Sequence, residues 1–406
     1  MSITLDVSVE QATALDRWGD LSQKLHEWFY EPDLEALKVT LSCAIAHYFK
    51  EEDPVWLMVL GPSGTGKSSV IMTPLSALDE VYSIDDLTPT TLLSGYRDRT
   101  DKATKKKDYS LLHNIGTEAD RSGIIIMPDF TCFMSKRDEQ RKEIVGQLRK
   151  VYDGYLDRAC GATEKMEWHG KVTMIVSATP AVERAWSMMR DLGERFMQIR
   201  WGRGNGVLQA TAALRQIGNE NRVKQMIKEL TMKFVDSSTL RPVLTNPEAI
   251  GMRLVHLAEI IAVLRAHVHR HRVGLTEVID FPVPEGPTRI IKSMVQVIRA
   301  HATLMRKMDV DDADYRIGRR LGMDSIPPER LHIVKTLADS MDHRIGFAQL
   351  VRLTPEVKVG TLQRALEDLE ALEVITIDST ESVEKTYQFT PNFVHLWTKA
   401  QPVINL

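Results

Sequence analysis

Residues 1–54 carry a polar, helical pattern whose apolar side, Leu34, Leu37, Val39, Leu41, Ala44 and Phe49, runs into a first β-type segment. From Val55 to Trp201 short apolar runs (Val55–Leu60, Glu80–Ile84, Gly123–Met127 and Val172–Ser177) alternate with helical patterns, and Phe196–Trp201 adds a further strand-like run. Such alternation predicts a parallel sheet covered by helices, an α/β fold, because a parallel strand returns to the sheet only through a crossover. From about 207 to 310 the periodicity is wholly helical, including Asn246–His271 and Pro287–Lys307 on either side of the turn-rich Asp280–Gly286.

From Pro327 three helical runs, Pro328–Met341, Gly346–Leu353 and Lys358–Leu372, precede two β-type runs, Val374–Ile377 and Thr386–Thr390, joined by a polar turn. This is the order of a winged helix. Val359, Leu362, Leu366 and Leu369 recur at helical spacing and are expected to face its core. The expected division is a helical lead-in over 1–54, an α/β core over 55–206, a helical lid over 207–322 and a winged-helix domain over 323–406.

With 43% hydrophobic and 26% charged residues the composition is that of a folded globular chain, which excludes disordered and collagenous classes. The 52 Lys and Arg nearly balance the 55 Asp and Glu, so any nucleic-acid contact must come from a local patch. The one charge run is Arg97–Lys107 (RDRTDKATKKK). Cys43, Cys132 and Cys160 form no CxxC pair, which argues against a zinc knuckle or disulfide framework and fits a reducing cytoplasm. No stretch of eighteen or more apolar residues occurs, so a soluble cytoplasmic protein without a membrane partner is expected. His267, His269 and His271, read as part of a helix, fall at i, i+2 spacing that scatters them around it, and a solvated basic face is expected rather than a metal site.

Residues 61–68, GPSGTGKS, match G-x-x-x-x-G-K-[ST] between an apolar strand and a helical run, the context that a phosphate-binding loop requires. Gly61, Gly64 and Gly66 are expected to allow positive φ and close backbone approach, so that amides of residues 63–68 point at phosphate oxygens within a nucleotide-binding segment of Gly61, Pro62, Ser63, Gly64, Thr65, Gly66, Lys67, Ser68 and Ser69. Lys67 is expected at the β and γ phosphates and the Ser68 hydroxyl on Mg²⁺. The run Ile124–Met127 leads to Pro128 and Asp129, a carboxylate placed to hold the metal through water; a turn Asp ending a buried strand is the alternative. Val172–Ser177 runs into Ala178–Thr179–Pro180, which sets the small polar Thr179 where the γ-phosphate and attacking water would lie. Arg195, just before Phe196–Trp201, is either presented to a neighbouring subunit's γ-phosphate or paired on the surface with Glu194 or Asp191.

The order of GPSGTGKS, the Asp129 strand, Ser177–Ala178–Thr179–Pro180 and Leu192–Gly193–Glu194–Arg195–Phe196 resembles the AAA+ superfamily of P-loop ATPases. Within it the chain resembles the branch of the minichromosome maintenance helicases and related mobile-element replication ATPases, over about residues 35–320. The resemblance implies an ATP- and Mg²⁺-dependent homo-oligomer, a ring or arc of hexamer-like form. It implies a DNA-contacting hairpin within Tyr155–Lys171, and a second sensor arginine, Arg289, after Pro287–Thr288. Ring ATPases usually carry a Glu directly after the strand Asp; here Phe130 stands there, so either Glu139 or Asp86 polarises water or nucleotide acts mainly as a switch.

Lys105, Lys106 and Lys107 then fall in a pore-lining loop or, alternatively, in a solvated surface loop. Arg158, Lys165 and Lys171 are the basic residues of the hairpin segment, and its Trp168 is either a base-stacking or a core residue. Lys358, Thr361, Gln363 and Arg364 open the third helix of the winged helix with types able to reach DNA, while Glu367, Asp368 and Glu370 farther along repel phosphate. The leading function is an ATP-dependent DNA helicase or translocase in phage or mobile-element replication. The alternative is a nucleotide-switched DNA-binding initiator, loader or transposition regulator that oligomerises without unwinding, and a scaffold or sensor whose winged helix binds protein stays open.

Overall fold

The structure is a computed structural model of the full chain and describes residues 2–94, 110–158, 166–185, 195–270, 278, 282–378 and 385–401. Two compact units divide it, 1–245 with 296–310 and 246–295 with 311–406, so the segment expected as a helical lid, 207–322, is shared between them.

The first unit is built on a five-stranded sheet of β1 (Trp56–Leu60), β2 (Val81–Ser83), β3 (Ser122–Met127), β6 (Lys171–Ala178) and β7 (Phe196–Arg200). Its order is β2-β3-β6-β1-β7, and every neighbouring pair is parallel. The strands form because they are apolar on both faces: β1 is buried at all five positions, as a strand covered by helices on two sides must be. Register aligns Leu60 with Ala178 on one side and Arg200 on the other, and Met127 with Val176. The loops that follow β3, β6, β1 and β7 therefore leave from one edge of the sheet.

One face packs Trp56, Met58, Ile125, Met174 and Phe196 against Phe130, Phe133 and the helix Asp138–Tyr152 through Ile144 and Leu148. Each such side chain contributes about 1.5–3 kcal/mol by leaving water. A two-stranded antiparallel hairpin, β4 (Tyr155–Arg158) with β5 (Met166–His169), turns Leu156 and Trp168 onto the same core.

The second unit joins the helices Glu248–Arg265, Asp312–Asp324, Pro328–Ala338, Phe347–Leu353, Val359–Ala371 and Pro391–Lys399 to a three-stranded antiparallel sheet. That sheet runs β8 (Arg344–Gly346), β10 (Thr386–Phe389), β9 (Ile375–Asp378). Asp311 and Asp314 start the helix Asp312–Asp324 with a reciprocal capping box. Gly322 lets that helix approach Glu248–Arg265, since a Cβ there would lie 2.4 Å from Ile261 Cδ1. Strand β8 is too short for the sequence to reveal and exists through its non-local pairing with β10.

Two expectations are corrected here. Val359 is 47% exposed, whereas Leu362, Leu366 and Leu369 are buried as expected, because the first turn of its helix projects beyond the core. The histidine run does not lie on a helix: Ala266, with ψ of 139°, ends the helix Glu248–Arg265, and the His267 and His269 rings stand 4.7 Å apart beyond it; His271 lies outside the described residues. No described helix is long and apolar enough to cross a membrane.

Candidate functional site

The loop Gly61–Ser68 leaves β1 between β6 and β7, and Gly61 N–H donates to the Ala178 carbonyl at 3.1 Å. Gly64 and Gly66 have φ of +74° and +86°, a region where other L-residues are strained. Gly61 does not need a positive φ; it needs space, since a Cβ there would stand 2.7 Å from the Trp201 carbonyl oxygen and 2.8 Å from Trp201 Cβ. The Thr65 hydroxyl closes the loop onto the Pro62 carbonyl at 2.8 Å. Beyond it, the amides of Ser69 and Val70 donate to the Gly66 carbonyl, and Ser68–Leu75 is helical.

Lys67 folds back over this loop, its Nζ donating to the carbonyls of Gly61 at 2.5 Å and Pro62 at 2.6 Å. The residue is 8% exposed, and burial pushes its pKa below the ordinary lysine value, with the Asp129 charge pulling partly the other way. Ser63 and Ser68 are exposed.

Asp129 stands exposed after β3, at the same edge. Its Oδ1 accepts from the Thr131 amide at 2.9 Å and its Oδ2 from the Cys132 thiol at 3.5 Å. The Thr131 hydroxyl in turn accepts from the Thr179 amide at 3.2 Å and lies 3.5 Å from the Thr179 hydroxyl. Asp129 and Thr179 are thus brought together through Thr131, which the sequence reading missed because the link crosses from one strand end to another. Phe130 is fully buried and stacked on Phe133 at 4.9 Å, so the position after Asp129 belongs to the core. Of the alternative acids, Asp86 is held by Lys136 at 2.8 Å and Glu139 is exposed in the first turn of the helix Asp138–Tyr152. A further acid, Glu183, pairs at 2.6 Å with Arg200, the last residue of β7.

Beside the loop is a cavity of about 520 Å³. Phe29 to Asp33, Gly64 to Gly66, Trp201 and Gly202, and Gln209 and Gln216 of the helix Gly206–Gln216 line it. Trp201 Nε1 donates to the Thr65 carbonyl at 3.0 Å, and Gln216 Nε2 to the Trp28 carbonyl at 2.5 Å. The sequence marked none of these lining residues outside the loop, since they come from three separate segments.

Arg195 is not at this edge. It precedes β7, whose first residue pairs with Trp56, the first residue of β1, so it lies at the edge from which the strands start. There it pairs with Asp153 at 3.1 Å and lies over the Tyr152 ring; Glu194 and Asp191 fall outside the described residues. Arg289 opens the helix Thr288–Leu304 and belongs to the second unit.

Of the residues expected at DNA, Lys105, Lys106, Lys107 and Lys165 lie outside the described residues. Arg158 is committed to the protein: its guanidinium donates to the carbonyls of Pro89 and Leu93 and pairs with Glu143. Lys171 donates to the Phe49 carbonyl at 2.6 Å, burial lowering its pKa to about 8, and Trp168 is a core residue at 1% exposure. Lys358 and Arg364 are exposed at the start of the helix Val359–Ala371. The expected repulsion by the acids of that helix is corrected in part, because Arg270 pairs with Glu367 and Asp368, and Arg330 with Asp368.

No family model matches the chain. Among curated proteins it is similar to the 2-oxo-4-hydroxy-4-carboxy-5-ureidoimidazoline decarboxylase of Halalkalicoccus jeotgali, with 29% identity over 77 residues, 19% of this chain and 43% of that protein. The chain therefore spans less than half the length of that relative.

Proposed function

We propose that the chain is a P-loop ATPase of the AAA+ type that binds Mg-ATP at Gly61–Ser69 and couples its hydrolysis to DNA within a homo-oligomeric ring or arc. The observation that carries the reading is the loop after β1. Two left-handed glycines and a lysine folded over the Gly61 and Pro62 carbonyls follow an inner strand of a parallel sheet, between β6 and β7, with Asp129 and Thr179 leaving the same edge.

In this reading the amides of residues 63–68 hold phosphate oxygens, and the Lys67 ammonium turns from the loop carbonyls to the β and γ phosphates. The exposed hydroxyl of Ser68 and carboxylate of Asp129 suit a hard cation that takes oxygen ligands and keeps several waters. Mg²⁺, when bound, supplies positive charge to the β and γ oxygens. Thr179, held by Thr131, positions the attacking water. The cavity gives a base and ribose room beside Phe29, Tyr30 and Trp201. Arg195 serves a neighbouring subunit, and Arg289 is assigned to phosphate by resemblance alone.

The output we assign is DNA translocation or unwinding in replication of a phage or mobile element, with the second unit read as carrying a winged helix. A second reading is favoured by the burial of Phe130: with no acid directly after Asp129, nucleotide acts as a switch for a DNA-binding initiator, loader or transposition regulator. ATP turnover with and without DNA, for wild type and Lys67→Ala, tests both. DNA-stimulated turnover lost in the variant supports the motor. Mg-ATP-dependent DNA binding with negligible turnover supports the switch, and absence of any Mg-ATP binding sinks both.

A further inference from the structure

Three contacts of Trp201 converge on the loop. Its amide donates to the Leu60 carbonyl at 2.7 Å, extending the β7 pairing by one residue to the point where the loop begins. Its carbonyl oxygen and Cβ occupy the space that a side chain on residue 61 would need. Its indole N–H reaches the Thr65 carbonyl at 3.0 Å, beside the cavity, with the residue only 6% exposed.

The third contact acts where the backbone is least constrained. Thr65 lies between Gly64 and Gly66, residues whose own sterics leave the intervening peptides free to rotate. In a trans peptide the carbonyl of one residue and the N–H of the next point in opposite directions. The bond from Trp201 to the Thr65 carbonyl therefore fixes the Gly66 N–H on the side away from the indole. We propose that Trp201 is a positioning residue for the phosphate loop, selecting from the orientations open to the Thr65–Gly66 peptide the one that presents the Gly66 amide to phosphate. This rests on the reading of Gly61–Ser68 as a phosphate-binding loop and adds the element that sets its shape. Through Gly202 to Asn205 the same residue connects the loop to the helix Gly206–Gln216 on the other side of the cavity.

The test uses the full chain with its seven tryptophans labelled as 5-fluorotryptophan. The ¹⁹F resonance missing from Trp201→Phe identifies Trp201. Addition of Mg-ADP is expected to move it. Trp201→Phe keeps a buried ring but removes the donor, and its dissociation constants for Mg-ADP and, by competition, Mg-pyrophosphate are expected to rise together, by about three- to tenfold. The parallel loss for pyrophosphate separates loop positioning from a base contact. Gly61→Ala, whose Cβ displaces the Trp201 backbone and Cβ from the loop and with them the indole, is expected to weaken both probes as well and serves if Trp201→Phe does not fold. Wild type that binds neither probe overturns the ATPase reading itself. Wild type that binds while the variants bind equally well, or lose Mg-ADP affinity alone, overturns only the role of Trp201.

Discussion

Lys67 keeps a charged end inside the protein because two loop carbonyls receive it, and replacing it removes the charge while leaving those carbonyls in place. Hydrogen bonds to charged groups contribute about 1.5–3 kcal/mol. In the proposed reading Lys67→Ala therefore weakens Mg-ATP by at least about tenfold in calorimetric titration, and the two carbonyls left without their donor lower the melting temperature of the free protein as well. His47 provides a pH signature independent of nucleotide. It is buried, bonded to Thr173 at 3.1 Å, and burial, with Lys171 nearby, lowers its pKa from 6.5 to about 4, the Asp120 carboxylate offsetting this only in part. Between those values the unfolded chain binds the extra proton, so stability falls as pH drops from about 6.5 to 4, by about 3 kcal/mol in total. Urea titrations at pH 7 and pH 5 are expected to show a smaller pH dependence in His47→Gln than in wild type. At this scale GPSGTGKS is readable because its residue types encode backbone angles. Trp201 and Thr131 are not readable, because their bonds to Thr65 and Thr179 join segments that only the fold brings together.

The apolar runs of the central strands announce themselves because both faces are buried, whereas β8 and the end of the helix at Ala266 depend on partners far along the chain. The hairpin β4–β5 illustrates the limit. Its segment was visible as an addition between a helix and β6, but its arginine is a clasp rather than a free cation. Arg158 holds the Pro89 and Leu93 carbonyls, so Arg158→Met is expected to raise amide hydrogen exchange across residues 87–94 several-fold while leaving β1 and β6 protected. In the second unit Asp368 serves two arginines, and Arg330, 6% exposed, also donates to the Leu264 and Ala266 carbonyls. Asp368→Asn leaves a buried guanidinium without its counter-charge and is expected to cost about 2 kcal/mol in urea unfolding, less than a fully buried pair because Asp368 is partly exposed.

At the scale of the molecule, the two compact units were only partly legible, since the helices of 207–322 have one periodicity but divide between two cores. The Asp153 pair gives the proposed assembly a specific test. If Arg195 serves a neighbour, Arg195→Ala lowers turnover only at concentrations where copies associate, and Asp153→Asn, which removes the charge of one of its partners, lowers the concentration needed for half-maximal turnover. Turnover independent of protein concentration in both would remove Arg195 from the chemistry. The placement of Arg195 has a geometric corollary. The arginine marks the rim where the strands begin and the loop the rim where they finish, so in the proposed assembly copies meet through opposite ends of their sheets. If copies join head-to-tail, each keeps one rim open and association runs on to a circle or a filament, whereas two copies lying antiparallel satisfy both rims within a two-fold pair.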